Sequence, residues 1–107
     1  TVSRPALRSP LAGEAGGLSG APLTILARQR LADFRAATGG ALPPISAGGI
    51  GDAEEAYARI RAGASLIQLY SAMVFEGPGL PRRITRGLAR LLKRDGFDHV
   101  ADAVGAG

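Results

Sequence analysis

Apolar residues recur along this chain in two distinct rhythms. From about Pro22 to Ala37, Leu23, Leu26, Ala27, Leu31 and Phe34 return at helical spacing with Arg28, Asp33 and Arg35 between them. Pro22 suits a first helical turn, and Gly39-Gly40 supply a stop. Ala53, Ala56, Tyr57 and Ile60 form a second helical stripe that ends at Gly63, and Asp52 with Glu55 makes a capping-box-like start. A third stripe follows from Pro81, with Leu80, Ile84, Leu88, Leu91 and Leu92 on one side and Gly96 as its stop. Asp98 is expected to cap a last short helix through Val100, Ala101 and Val104.

Between the helices the rhythm changes. Leu42 to Ala47 is a short run bounded by glycines and predicts a buried strand, with Pro43 and Pro44 at its entrance because proline cannot donate within a ladder. Ser65 to Ser71 predicts a second strand, and its almost unbroken apolar character marks a parallel strand covered on both faces. Thr1-Val2-Ser3 reads as the end of another strand. The stretch to residue 22 holds Pro5, Pro10, Gly13, Gly16, Gly17 and Gly20, and predicts a long loop. A loop of that length in a compact chain is usually functional or disordered.

Strands alternating with helices imply parallel pairing through right-handed crossovers. Two strands and one strand end leave both sheet edges open. The pattern is better accommodated as part of a closed (β/α)8 barrel, which typically needs about 250 residues against the 107 present. The strand residues Ile45, Leu66, Ile67 and Leu69 should then lack cover in this chain alone. The chain also opens at Thr1 without an initiator methionine, which supports the expectation of a segment.

Composition narrows the chemistry. Hydrophobic residues make up 46% and charged residues 21%, an ordinary globular balance. The absence of cysteine removes disulfides and thiolate metal sites, and His99 alone offers no multi-histidine site. No apolar run reaches the roughly 20 residues needed to span a bilayer, and no signal-peptide pattern follows Arg4 and Arg8. The net charge of +4 arises from one segment, where Arg82, Arg83, Arg86, Arg90, Lys93 and Arg94 occur without an acid. Those cations have no interleaved aromatics to stack on bases, so nucleic acid is not expected as a partner. A solvated outer helix face accounts for them, with attraction to anionic lipid as the alternative.

Two strand-to-helix junctions carry the candidate chemistry: Gly48-Gly49-Ile50 after one strand and Tyr70-Ser71 after the next. In (β/α)8 barrels the loops after the last two strands commonly hold a phosphate through backbone N–H groups. Glycine allows the backbone to approach the anion closely, and oriented N–H groups complement its charge. Each feature also has a plain structural reading. A Gly-Gly pair closes ordinary tight turns, and Tyr70 by itself reads as a packed strand aromatic.

The motifs TVSRP, GGLSGAPL, ISAGGI, RAGASLIQLYSAMVFEGPGL and DGFDHVADAVGA follow one another across essentially the whole chain. In order and spacing they resemble the quinone-dependent class of dihydroorotate dehydrogenases. The resemblance implies an α/β fold, the C-terminal part of a (β/α)8 barrel comprising about its last two to three βα units. Residues 1–107 would form one segment of an FMN-binding barrel.

It also implies a function: oxidation of dihydroorotate to orotate in pyrimidine biosynthesis, with electrons passing through FMN to a membrane quinone. Carried onto this sequence, Gly20 would contact FMN. Gly49 would hold the flavin phosphate by its N–H, Gly48 would shape that loop, and Tyr70 and Ser71 would complete the phosphate cradle. The family's catalytic serine and flavin-contacting lysine belong to an earlier part of the barrel, and its substrate-binding Asn-Thr pair lies just before TVSRP. No catalytic or metal-binding residue is therefore assigned here. Ser3, Ser9, Ser19 and Ser46 do not match the serine motif, and Lys93 is a poor stand-in for the lysine. Peripheral association with the cytoplasmic side of the inner membrane would depend on N-terminal helices that are not in this sequence. The alternative is a non-catalytic quarter-barrel module that binds FMN or phosphate.

Overall fold

The computed structural model describes residues 7–107; the expected strand end Thr1-Val2-Ser3 and the TVSRP motif lie outside the described residues. A loop leads into a 3-10 turn, Ala21–Leu23, and then helix α1, Thr24–Thr38. Strand β1 (Ile45–Ala47), helix α2 (Ala53–Arg61) and strand β2 (Leu66–Gln68) follow. Helices α3 (Ser71–Glu76), α4 (Leu80–Arg94) and α5 (Val100–Ala103) complete the chain. The strands pair in parallel, with Ile45 opposite Leu66 and Ala47 opposite Gln68. This is the βα alternation that the apolar rhythm predicts.

Helix α2 is capped at its start by its sequence. Asp52 Oδ1 accepts from the Glu55 N–H at 2.8 Å, which satisfies one of the first-turn donors that lack a helical acceptor. Only half of the expected capping box forms. Glu55 does not reach back to the cap but turns towards Arg28 and Arg59, because two guanidinium groups compete for its carboxylate.

The core lies between α2 and α4. Ile50, Ala56, Leu80 and Ile84 form one buried cluster, and Tyr57, Ile60 and Ala103 form another. The two helices approach closely at Gly87 of α4, where a Cβ would collide with the Ala53 Cβ of α2. Across the far end of this pair, Asp95 accepts from Tyr57 Oη at 2.7 Å and from Arg61 Nη1 at 3.1 Å. The Arg61 guanidinium also lies over the Tyr57 and Phe97 rings.

Three expectations need correction. The strands are three residues each, shorter than the runs 42–47 and 65–71, because pairing ends where the chain turns into its helices. Ser71 belongs to α3, a helix that the apolar run Ala72-Met73-Val74-Phe75 conceals. Asp98 does not cap α5. His99 occupies the cap position in extended conformation, one residue beyond Asp98, with no side-chain cap bond. The expected loss of cover is visible at Ile45 and Leu66, which are 59% and 62% exposed, while Ile67 and Leu69 are half-buried.

Candidate functional site

In a parallel βα arrangement every strand ends at the same side of the sheet, so successive strand-to-helix junctions meet there. Here β1 delivers Gly48–Gly51, β2 delivers Leu69–Ala72, and the loop before α1 brings Ser19 and Gly20 to the same place. Together they wall a cleft of about 810 Å³. All five residues singled out from the sequence line it: Gly20, Gly48, Gly49, Tyr70 and Ser71. The structure thus brings together positions spread over 51 residues of sequence separation, from Gly20 to Ser71.

The loop and the second junction are tied directly. Ser19 Oγ and Ser71 Oγ lie 3.0 Å apart in a hydrogen bond. Tyr70 ends the strand side of its junction as the residue before α3, and its side chain is exposed at the cleft. It is not a packed strand aromatic. Phe75 is also exposed on the cleft wall. Glu76 is the one acid among the lining residues, and Arg83 Nη2 stands 3.4 Å from its carboxylate.

The glycine turn is shaped by what lies behind it. Gly49 has φ +74°, and a Cβ there would sit 2.5 Å from Thr24 N and 2.6 Å from Thr24 Cα. Backbone atoms of a helix start cannot yield, so only glycine can hold this conformation against α1. The carbonyl oxygens of the turn are both engaged. Arg59 Nη2 donates to Gly48 O at 2.9 Å, and Thr24 Oγ1 reaches Gly49 O at 2.7 Å and Ala21 O at 2.8 Å. Among the described residues, the N–H groups of Gly49 and Ile50 find no acceptor.

Arg59 is fully buried. Its Nε donates to Glu55 Oε1 at 2.6 Å, Nη1 to Ser46 Oγ at 2.9 Å, and Nη2 also to Thr24 O at 3.1 Å. Glu55 is shared with Arg28 of α1, and that hydrogen bond raises the Arg28 pKa above its ordinary value. A buried charge of this kind is tolerable only when its donors are satisfied and a counter-ion is present. Neither Arg59 nor Thr24 stood out in the sequence, and Ser19 was considered there only as a poor match to the catalytic serine. The available signal for Arg59 was its spacing, three after Ala56 and four after Glu55 on the buried stripe of α2.

A parallel α/β unit with its cleft at the strand ends is the class defined by this geometry, a segment of a (β/α)8 barrel. The dihydroorotate dehydrogenase family model matches residues 1–92, and the chain belongs to that family. Over 107 residues it is 69% identical to dihydroorotate dehydrogenase (quinone) of Sphingopyxis alaskensis, covering 100% of this chain and 30% of that protein. The corresponding protein of Novosphingobium aromaticivorans is 61% identical over 106 residues, again with 30% of its length covered. Among solved structures, dihydroorotate dehydrogenase of Eimeria tenella in complex with ferulenol superposes with a TM-score of 0.90 at 40% identity. That match covers 99% of this chain and 28% of the other. The chain therefore spans about 30% of the length of the curated relatives it matches.

Proposed function

We propose that this chain supplies the flavin-phosphate seat of a quinone-linked dihydroorotate dehydrogenase, which oxidises dihydroorotate to orotate in pyrimidine biosynthesis. The observation that carries the reading is the convergence of Gly20, Gly48, Gly49, Tyr70 and Ser71 on one cleft. The names of the relatives, which specify a quinone acceptor, support the reaction class.

The cleft fits an FMN phosphate on the chemistry of its donors. The Gly49 and Ile50 N–H groups are without acceptors among the described residues, and Ser71 and Ser19 add hydroxyls. N–H groups fixed by the fold complement a phosphate without reorganising when it arrives. A volume of about 810 Å³ lies within the range of small-molecule sites, roughly 300–1,000 Å³. Gly20 would contact the cofactor from the loop side, and the exposed Tyr70 and Phe75 would bound it at the cleft mouth. When bound, FMN would accept the substrate's hydride and relay electrons to quinone. The protein groups here would bind and orient its phosphate end; the catalytic base and the substrate carboxylate contacts belong to the longer protein.

Residues 1–107 are accordingly proposed as one segment of an FMN-binding barrel. Its partners would be dihydroorotate, orotate and a membrane quinone, at the cytoplasmic face of the inner membrane. Peripheral attachment through other parts of the protein is the form of association proposed; among the described residues no helix is long and apolar enough to cross a membrane.

The test is a titration of the chain with FMN followed by flavin fluorescence quenching, with riboflavin as the phosphate-free control. Saturable binding of FMN with little or no binding of riboflavin is expected, and Gly49→Ala should abolish the difference. Equal affinity for the two flavins would show that the cleft does not hold the phosphate.

A further inference from the structure

Resting on the phosphate-seat reading, we infer that Arg59 is a positioning residue that aims the Gly49 and Ile50 N–H groups into the cleft by holding the carbonyl side of the glycine turn. In a trans peptide the C=O of one residue and the N–H of the next point in opposite directions within one plane. Fixing Gly48 O therefore fixes Gly49 N–H, and fixing Gly49 O fixes Ile50 N–H. Arg59 Nη2 holds the first carbonyl at 2.9 Å, and Thr24 Oγ1 reaches the second at 2.7 Å. Neither Arg59 nor Thr24 lines the cleft, whereas Gly48, Gly49 and Ile50 do. The carbonyls are thus drawn to the rear of the turn, and the two N–H groups are left to face forward.

The guanidinium is suited to this task in a way that an ammonium is not. Its planar fork spans four acceptors on four elements of the chain. These are Glu55 of α2, Ser46 of β1, Thr24 O at the start of α1 and Gly48 O in the turn. A lysine could answer Glu55 with the same charge but would present its donors from a single point. Thr24 O and Gly48 O both accept from one arginine nitrogen, so the beginning of α1 and the turn are held in a fixed relation. Arg28, Glu55 and Arg59 together also leave one uncompensated positive charge behind the turn, which attracts a phosphate dianion but does not set the direction of the N–H groups.

That separation of charge from orientation provides the experiment, carried out on the full chain with FMN, riboflavin and inorganic phosphate. Arg59→Lys retains the charge and the partner for Glu55; Arg59→Met removes both; Thr24→Val removes the hydroxyl behind Gly49. In Arg59→Lys, with helix content by circular dichroism unchanged, the preference for FMN over riboflavin should fall roughly tenfold or more, as expected for losing a charge-assisted hydrogen bond. Its Gly49 and Ile50 amide resonances should no longer move on adding inorganic phosphate. Thr24→Val should weaken the Ile50 response more than that of Gly49, and it keeps the test decisive if Arg59→Met does not fold. Undiminished FMN preference in Arg59→Lys alongside its loss in Arg59→Met would overturn the inference, because charge alone would then suffice. Equal losses of FMN and riboflavin binding with reduced helix content would overturn it too, as the residue would be merely structural. A wild-type chain that does not prefer FMN would instead sink the phosphate-seat reading on which the inference stands.

Discussion

The helices packed around the short sheet are covered very differently. Towards α2 and α4, Ala56, Tyr57, Ile60, Leu80 and Ile84 are buried, and Gly87 brings the helices into direct contact. Towards α1, Leu23 and Leu31 are buried, but Ile25, Leu26, Phe34, Leu42 and Ile45 stay exposed. An apolar groove of about 620 Å³ opens there between α1 and β1, lined in part by Leu26, Phe34 and Ile45. An apolar repeat can be read on both α1 and α2, although α1 is the less amphipathic of the two, and only α2 has its stripe covered. A periodic apolar stripe reports the surface a helix is built to cover; it does not report whether the covering elements are in the same stretch of chain.

The largest effect is expected in the α2–α4 core. Ile84→Ala should cost about 2–5 kcal/mol, the usual penalty for truncating a buried branched side chain into a cavity. Equilibrium denaturation measures this, and a loss near zero would show that the core is not where burial places it. At the other extreme, Leu66→Ala on the uncovered strand face should change stability by less than about 0.5 kcal/mol. Should the two substitutions prove equally costly, the uncovered face must be buried in solution, and sedimentation would then reveal an association of chains.

A smaller effect is expected from pH. The Arg94 and Tyr57 hydrogen bonds hold the Asp95 carboxyl at about 2, against an ordinary 3.8. A carboxylate lowered on folding contributes stability that is fully present above its unfolded pKa and is lost as pH falls towards the folded value. The contribution of Asp95 should therefore persist above about pH 4 and fade as pH falls towards 2. Tyr57→Phe removes one of the two bonds and should move the Asp95 titration, followed by carboxyl NMR shifts, to higher pH. An unmoved titration would mean that Tyr57 does not contribute.

Much of the fold was readable because helices α1, α2 and α4 each carry several turns of apolar repeat, and glycines punctuate the strands between them. Gly48, Gly49, Tyr70 and Ser71 were readable for a related reason, since strand-to-helix junctions in a parallel sheet must meet at one end; Gly20, in the loop before α1, was singled out only through the resemblance carried by GGLSGAPL. Helix α3 escaped because six residues following an apolar strand offer too little polar contrast to show a change of period. Arg59 escaped because an arginine in a helix ordinarily belongs to its wet face. Its burial depends on acceptors from three other parts of the chain that no local pattern announces. Asp98 was misplaced by a single residue, which is enough to put a side chain out of reach of the helix end.

Both the strand-end cleft and the α1–β1 groove are large enough for a small molecule, but it is the cleft that presents the Gly49 and Ile50 N–H groups, without acceptors among the described residues, to a flavin phosphate. Backbone amide NMR during titration with FMN separates them directly. The largest shifts are expected at Gly20, Gly49, Ile50 and Ser71, with the groove residues Leu26, Phe34 and Ile45 unmoved. Shifts centred on the groove, with the glycine turn silent, would place the flavin phosphate elsewhere than in the cleft.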